Sequence, residues 1–137
     1  MLNVNRILIK SLEGRLENVF VNVLAAKAKI GSKDYQRAKQ FASKACIIDE
    51  NNVEARYIKG FCHRNLAEFS EAVETYRQII DIIPGSAVAH LYLADCLKNA
   101  GRKEEAVEYY LESIMLDTEG DIGELARESL LTLKESI

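Results

Sequence analysis

An all-α repeat fold is predicted for this chain, and three observations predict it. The first is a period: Ala38, Ala72 and Ala106 stand 34 residues apart, as do Ala26, Gly60 and Ala94, and a fixed spacing of this size marks repeated structural units. The second is patterning. Apolar residues recur at steps of three and four, and no segment of useful length alternates as a strand would. The third is punctuation, with Asn99-Ala100-Gly101 and Pro84 falling where an apolar helical pattern stops.

Each 34-residue unit reads as two helices. In the first unit these cover about residues 18–30 and 34–47, and in the second residues 54–65 and 71–82, the latter halted before Pro84 because proline cannot continue the hydrogen-bond ladder. In the third, residues 88–99 place Leu91, Ala94 and Leu97 on one side, and residues 103–116 carry Ala106, Val107, Tyr110 and Ile114 opposite Glu104, Glu105, Glu108 and Glu112. The small residues have a mechanical reason. A side chain larger than methyl would force apart two closely crossing helices, so Ala26, Gly60 and Ala94 are expected to face Ala38, Ala72 and Ala106.

Two flanking helices complete the plan. Residues 121–137 set Ile122, Leu125, Ala126, Leu130, Leu133 and Ile137 on one stripe, as a cap for the open end of a repeat array requires. Residues 2–13 carry Leu2, Val4, Ile7, Leu8, Ile9 and Leu12, more apolar residues than one helix face uses. Two readings of that surplus stay open: a helix packed on the first unit with one face left over, or a chain that is part of a longer one. If residues 2–13 expose a second apolar face, the domain is expected to self-associate through them or to need a partner.

Composition narrows the function. At 137 residues with 48% hydrophobic and 28% charged side chains, the chain can bury a full core without metal or disulfide support. Eighteen basic against 21 acidic residues give a net charge of −3 and no basic block, which disfavours nucleic acid as partner. Cys46, Cys62 and Cys96 form no Cys-x-x-Cys and sit in apolar helical patterns, so reduced, buried thiols in a cytoplasmic compartment are expected. Arg6 and Lys10 interrupt the apolar N-terminus, and no stretch approaches the roughly 20 apolar residues of a membrane span, so membrane insertion is not expected.

No catalytic, cofactor or metal site is predicted. His63 and His90 lie in different units without cysteine or carboxylate at metal-ligand spacing. Ser86, His90 and Asp95 contain the residue types of a hydrolytic set, but no nucleophile elbow or glycine-rich phosphate loop accompanies them.

Residues 19–120 resemble the tetratricopeptide repeat family. The residues that carry the resemblance are Ala26, Ala38 and Ala45 in unit one, Gly60, Ala72, Tyr76 and Pro84 in unit two, and Leu93, Ala94, Ala106 and Tyr110 in unit three. Departures are Lys59 for the usual leucine, Lys29 and His63 for tyrosine, and Glu50 and Thr118 for proline. The resemblance implies a right-handed superhelical stack of antiparallel helix pairs in one domain over 1–137: an N-terminal helix (1–18), repeats at 19–52, 53–86 and 87–120, and a capping helix (121–137). It further implies a non-catalytic protein-interaction module that holds a peptide or partner helix in a groove lined by the first helix of each pair. The alternative is an assembly or oligomerisation domain of a larger complex or multidomain protein.

Transferred position by position, the groove rows are Phe20, Val23, Lys27 and Ile30, then Glu54, Tyr57, Phe61 and Arg64, then Val88, Leu91, Asp95 and Lys98. Of these, Val23, Lys27, Tyr57, Phe61, Arg64, Leu91, Asp95 and Lys98 are the expected contacts, with Tyr57 and Phe61 as apolar anchors. Relatives that clamp the carboxylate of heat-shock protein tails use lysines, asparagines and arginine on these helices. Here Val23, Lys27, Ile58, Val88 and Tyr92 occupy those places, so an apolar peptide fits better than a carboxylate tail.

Overall fold

The computed structural model describes residues 3–136, and among them every regular element is a helix. In chain order these are α1 (Val4–Gly31), α2 (Tyr35–Ile48), α3 (Val53–Asn65), α4 (Phe69–Ile82), α5 (Ala87–Asn99), α6 (Lys103–Leu116) and α7 (Asp121–Glu135). The fold is an all-α helical repeat, and α2 to α7 fall within two residues of the spans read from periodicity.

The N-terminal region corrects the sequence reading. Instead of a separate helix over residues 1–18 followed by another over 18–30, one uninterrupted helix of 28 residues runs from Val4 to Gly31. Gly14 lies inside it. A mid-helix glycine costs only about 1 kcal/mol, and its neighbours Leu12, Glu13, Arg15, Leu16 and Glu17 all favour helix, so the helix continues through. Leu2 and Ile137, assigned to the terminal stripes, lie outside the described residues.

The 34-residue period reappears in the backbone of the turns. Lys33, Ala67 and Gly101 have φ of 59°, 58° and 81°. Around each, two hydrogen bonds close the preceding helix: Lys33 N–H donates to Ile30 O and Asp34 N–H to Lys29 O, with the same pair at Ala67–Glu68 and Gly101–Arg102. This is the left-handed helix termination that glycine favours, although only the third unit supplies glycine. Between units the joints also match. Asn52 Oδ1 accepts the Ala55 N–H at 2.8 Å and Ser86 Oγ that of Ala89 at 3.2 Å, so each side chain caps a helix N-terminus. At the third joint the equivalent residue is Gly120, and Asp117 Oδ2 instead accepts the Gly123 N–H at 3.0 Å.

Two compact units divide the chain, Met1–Cys62 and His63–Ile137. In the first, α1 packs on α2, and Val19, Val23, Ala26, Ala38, Ala42, Ala45, Ala55, Ile58 and Cys62 form a core in which five of nine residues are alanine. Side chains this short let the helices approach closely, as expected for Ala26 and Ala38.

In the second unit α4 packs on α5, α5 on α6, and α7 on both α6 and α5. Its interior is bulkier, with Tyr76, Ile79, Leu93, Leu97, Tyr110 and Leu133 almost wholly buried; full burial of one such aliphatic side chain contributes about 1.5–3 kcal/mol. Ala94 and Ala106 are also buried. In α7 the buried face is Gly123, Ala126, Leu130 and Leu133, whereas Leu125 is 49% exposed.

Candidate partner-binding surface

In the first unit, α3 presents Glu54, Tyr57 and Phe61 at three- and four-residue steps, which aligns them on one stripe. Lys27 of α1 pairs with Glu54 across the two helices. Both side chains are about half exposed, so the pair adds at most about 1 kcal/mol and serves more to fix position. Tyr57 is half-buried. Phe61 stays 40% exposed, and its ring meets Tyr35 of α2 edge-on at 6.0 Å between centroids, a geometry that fixes the ring plane. A positioned, part-exposed aromatic is the kind of group that can anchor an apolar side chain of a partner.

In the second unit, Arg64 at the end of α3 stacks over the Tyr92 ring at 5.2 Å and approaches Asp95 Oδ2 at 4.0 Å. It also hydrogen-bonds Tyr76, whose ring lies 5.6 Å from that of Tyr92. Asp95 accepts a 2.6 Å hydrogen bond from the Tyr110 hydroxyl. Burial is the main reason the Tyr76 and Tyr110 hydroxyls ionise well above the usual tyrosine range, reinforced at Tyr110 by its bond to Asp95. Burial likewise pushes the Cys96 thiol up to about 12, with Arg64 opposing the shift. The arginine is therefore held by a ring, a hydroxyl and a carboxylate, and its side chain is 28% exposed.

The eight predicted residues divide. Lys27, Tyr57 and Phe61 gather on the first unit; Arg64, Asp95 and the part-exposed Lys98 lie on the second. Val23 and Leu91 are corrections, because they are only 6% and 4% exposed and act as core. Both lie on apolar stripes whose spacing does not say which edge a neighbouring helix covers. Tyr92 and Tyr35 were missed as contributors. Tyr92 could have been found, since it precedes Asp95 by three residues and shares its helix face.

The remaining polar residues serve the fold. Ser86 caps α5, His90 Nδ1–H donates to Ser86 O at 2.8 Å, and Asp95 holds Tyr110, so the three do not form a nucleophile–base–acid relay. His63 Nδ1 lies 3.1 Å from Glu68 Oε1. Among the described residues no three His, Cys, Asp or Glu side chains gather as a metal site, and no helix is long and apolar enough to cross a membrane.

Residues 66–121 match the tetratricopeptide repeat family. FK506-binding protein 59 of Drosophila melanogaster is 32% identical over 77 residues, which make up 54% of this chain and 18% of that protein. The chain thus spans under a fifth of that relative's length. Among solved structures, the Yersinia enterocolitica type III secretion chaperone SycD, in complex with a peptide of the translocator YopD, aligns with a TM-score of 0.81 at 15% identity, covering 88% of this chain and 95% of that one. The first such domain of Spaghetti (RPAP3), bound to an HSP90 peptide, gives 0.79 at 14% identity, covering 88% and 93%. Residues 66–121 thus carry the tetratricopeptide repeat, and the chain shares its all-α repeat fold with these solved structures over most of its length.

Proposed function

We propose that this chain is a non-catalytic protein-interaction module that binds an apolar peptide segment or partner helix along the exposed stripe of α3 beside α1. The observation that carries this is the α3 stripe, where Phe61 is 40% exposed yet held against Tyr35, one turn from Tyr57. Peptide complexes of SycD and of RPAP3, which share the fold, support the same use of the scaffold. A carboxylate-terminated tail suits this chain less, because Val23 and Ile58 are core residues and Tyr92 is stacked under Arg64. The free thiols of Cys46, Cys62 and Cys96 support a reducing, cytoplasmic setting.

Titration calorimetry with amphipathic peptides, and with acidic peptides bearing a free or amidated C-terminus, tests the reading. Amphipathic peptides should bind, and the Tyr57→Ala/Phe61→Ala variant should lose about 2–4 kcal/mol of that affinity while staying folded. Binding that requires a free C-terminal carboxylate and ignores both aromatics would refute it.

A second reading, assembly with another polypeptide, rests on α1. Val4, Ile7, Leu8, Ile9, Leu12 and Leu16 are each more than half exposed, a contiguous apolar surface of the kind monomers rarely carry.

A further inference from the structure

The assembly reading can be taken further, because α1 carries one seam along its whole length. Ile9, Leu12, Leu16, Val19, Val23, Ala26 and Ile30 follow each other at steps of three and four, the spacing of a helix that packs along another helix. The C-terminal part of this seam is covered: Val19, Val23 and Ala26 are 8%, 6% and 0% exposed. Towards the N-terminus the same seam is bare, with Ile9, Leu12 and Leu16 at 56%, 56% and 67%. Between the two parts lies a hollow of about 230 Å³ lined by Leu12, Arg15, Leu16, Val19, Ile48 and Asp49.

The charges beside the bare seam identify its occupant. Arg6 and Glu13 are seven residues apart, so they lie on the same edge, and both are exposed. On the opposite edge, Arg15 donates to Ile48 O at 2.8 Å and is already engaged. When two copies of α1 cross antiparallel, like edges face each other, and a cation near one end meets an anion further along. We infer that the bare half of α1 pairs antiparallel with α1 of a second copy, setting Ile9 against Leu12 of that copy and Arg6 against its Glu13, twice over by symmetry. In this register Leu8 of the second copy approaches Arg15 and the hollow beside it. A parallel pairing would bring unlike edges together and set Glu13 beside Leu8, with no ion pair.

The contact is short compared with the roughly 1,200–2,000 Å² of a standard interface, so a weak, reversible dimer with a dissociation constant on the order of 10 μM is expected. Sedimentation velocity of the full chain over a wide concentration range tests this. Leu12→Ser should weaken association at least about tenfold, the effect of removing a central apolar contact, with an unchanged far-ultraviolet dichroism spectrum. Arg6→Glu and Glu13→Arg, each of which creates two like-charge contacts, should each weaken it by about tenfold at low salt. An equimolar mixture of these two charge variants should associate as the parent does, since every pair is then opposite in sign. A monomer at all concentrations would overturn this pairing while leaving assembly with a different polypeptide standing. A dimer that Leu12→Ser disrupts but that mixing does not restore would overturn the antiparallel pairing alone, and one indifferent to Leu12→Ser would place association on another face.

Discussion

Replacing Gly123 with alanine adds one methyl group to the first turn of α7, where helix propensity alone would favour the change by about 1 kcal/mol. The surroundings reverse the sign. A Cβ there would stand 1.7 Å from the Asp117 carbonyl oxygen and 2.9 Å from its carbon, so backbone must move. Asp117 cannot yield cheaply, because its own N–H donates to Ser113 O and Ile114 O at the end of α6. If α7 moves instead, Gly123 N–H leaves the Asp117 carboxylate, and a hydrogen bond to a charged group contributes about 1.5–3 kcal/mol. With an overpacking cost of about 1–3 kcal/mol and the lost hydrogen bond set against the propensity gain, Gly123→Ala should destabilise by about 1.5–5 kcal/mol. Gly14→Ala is the matched control. No atom lies within 4 Å of its added Cβ, so the same change inside α1 should stabilise by about 0.5–1 kcal/mol. Urea unfolding followed by far-ultraviolet dichroism reads both. A midpoint for Gly123→Ala equal to or above the parent's would mean that α7 does not dock on Asp117 as described.

Ala67→Gly should raise stability by roughly 0.5–1 kcal/mol, because Ala67 holds a left-handed conformation that glycine adopts freely; a lower unfolding midpoint would show that the turn differs. Ala106→Leu should cost about 1–3 kcal/mol in the same assay, since Ala106 is wholly buried. At pH 8, Cys96 should react with a disulfide reagent on the order of 100-fold more slowly than an unfolded thiol, given burial that pushes it up to about 12; equal rates would contradict that burial. Stability should fall above pH 9. The unfolded Cys62 and Cys96 thiols ionise near 9.0 while burial pushes the folded ones up to about 11 and about 12, so their contribution is intact below 9 and lost as pH rises through the folded values. Tyr76 and Tyr110, also raised by burial, extend the loss above pH 10; a denaturant midpoint flat from pH 8 to 12 would refute this.

Residue spacing made the repeat legible because each helix ends by a local rule. Gly101 announced its turn, whereas Lys33 and Ala67 adopt the same backbone without a residue that advertises it and could be found only through the 34-residue offset. The break expected near residue 18 was absent for a related reason: residues 12–17 are mostly strong helix formers, so one helix propagates through Gly14 to Gly31. The surface was harder to read. Spacing places Val23 and Leu91 on stripes with Lys27 and Asp95, but which members of a stripe stay exposed depends on where neighbouring helices stop. Ala42 shows the same difficulty. It occupies the place of Tyr76 and Tyr110, and its small size belongs to an alanine-rich core in the first unit that no single position foretells.

The joint between α6 and α7 also bears on lengthening the array by design. At the two earlier joints, the residue that starts the next helix caps it with its own side chain, Asn52 or Ser86, so a segment can be spliced in and bring its own start signal. At the third joint that signal lies upstream at Asp117, and an atom added at Gly120 would sit 2.2 Å from the Asp117 carboxylate. A module grafted after residue 116 must therefore either keep the Asp117, Gly120 and Gly123 set together or replace it as a block with the Asn52 or Ser86 type. A chimera that changes only one of the three would carry a crowded seam or an uncapped helix.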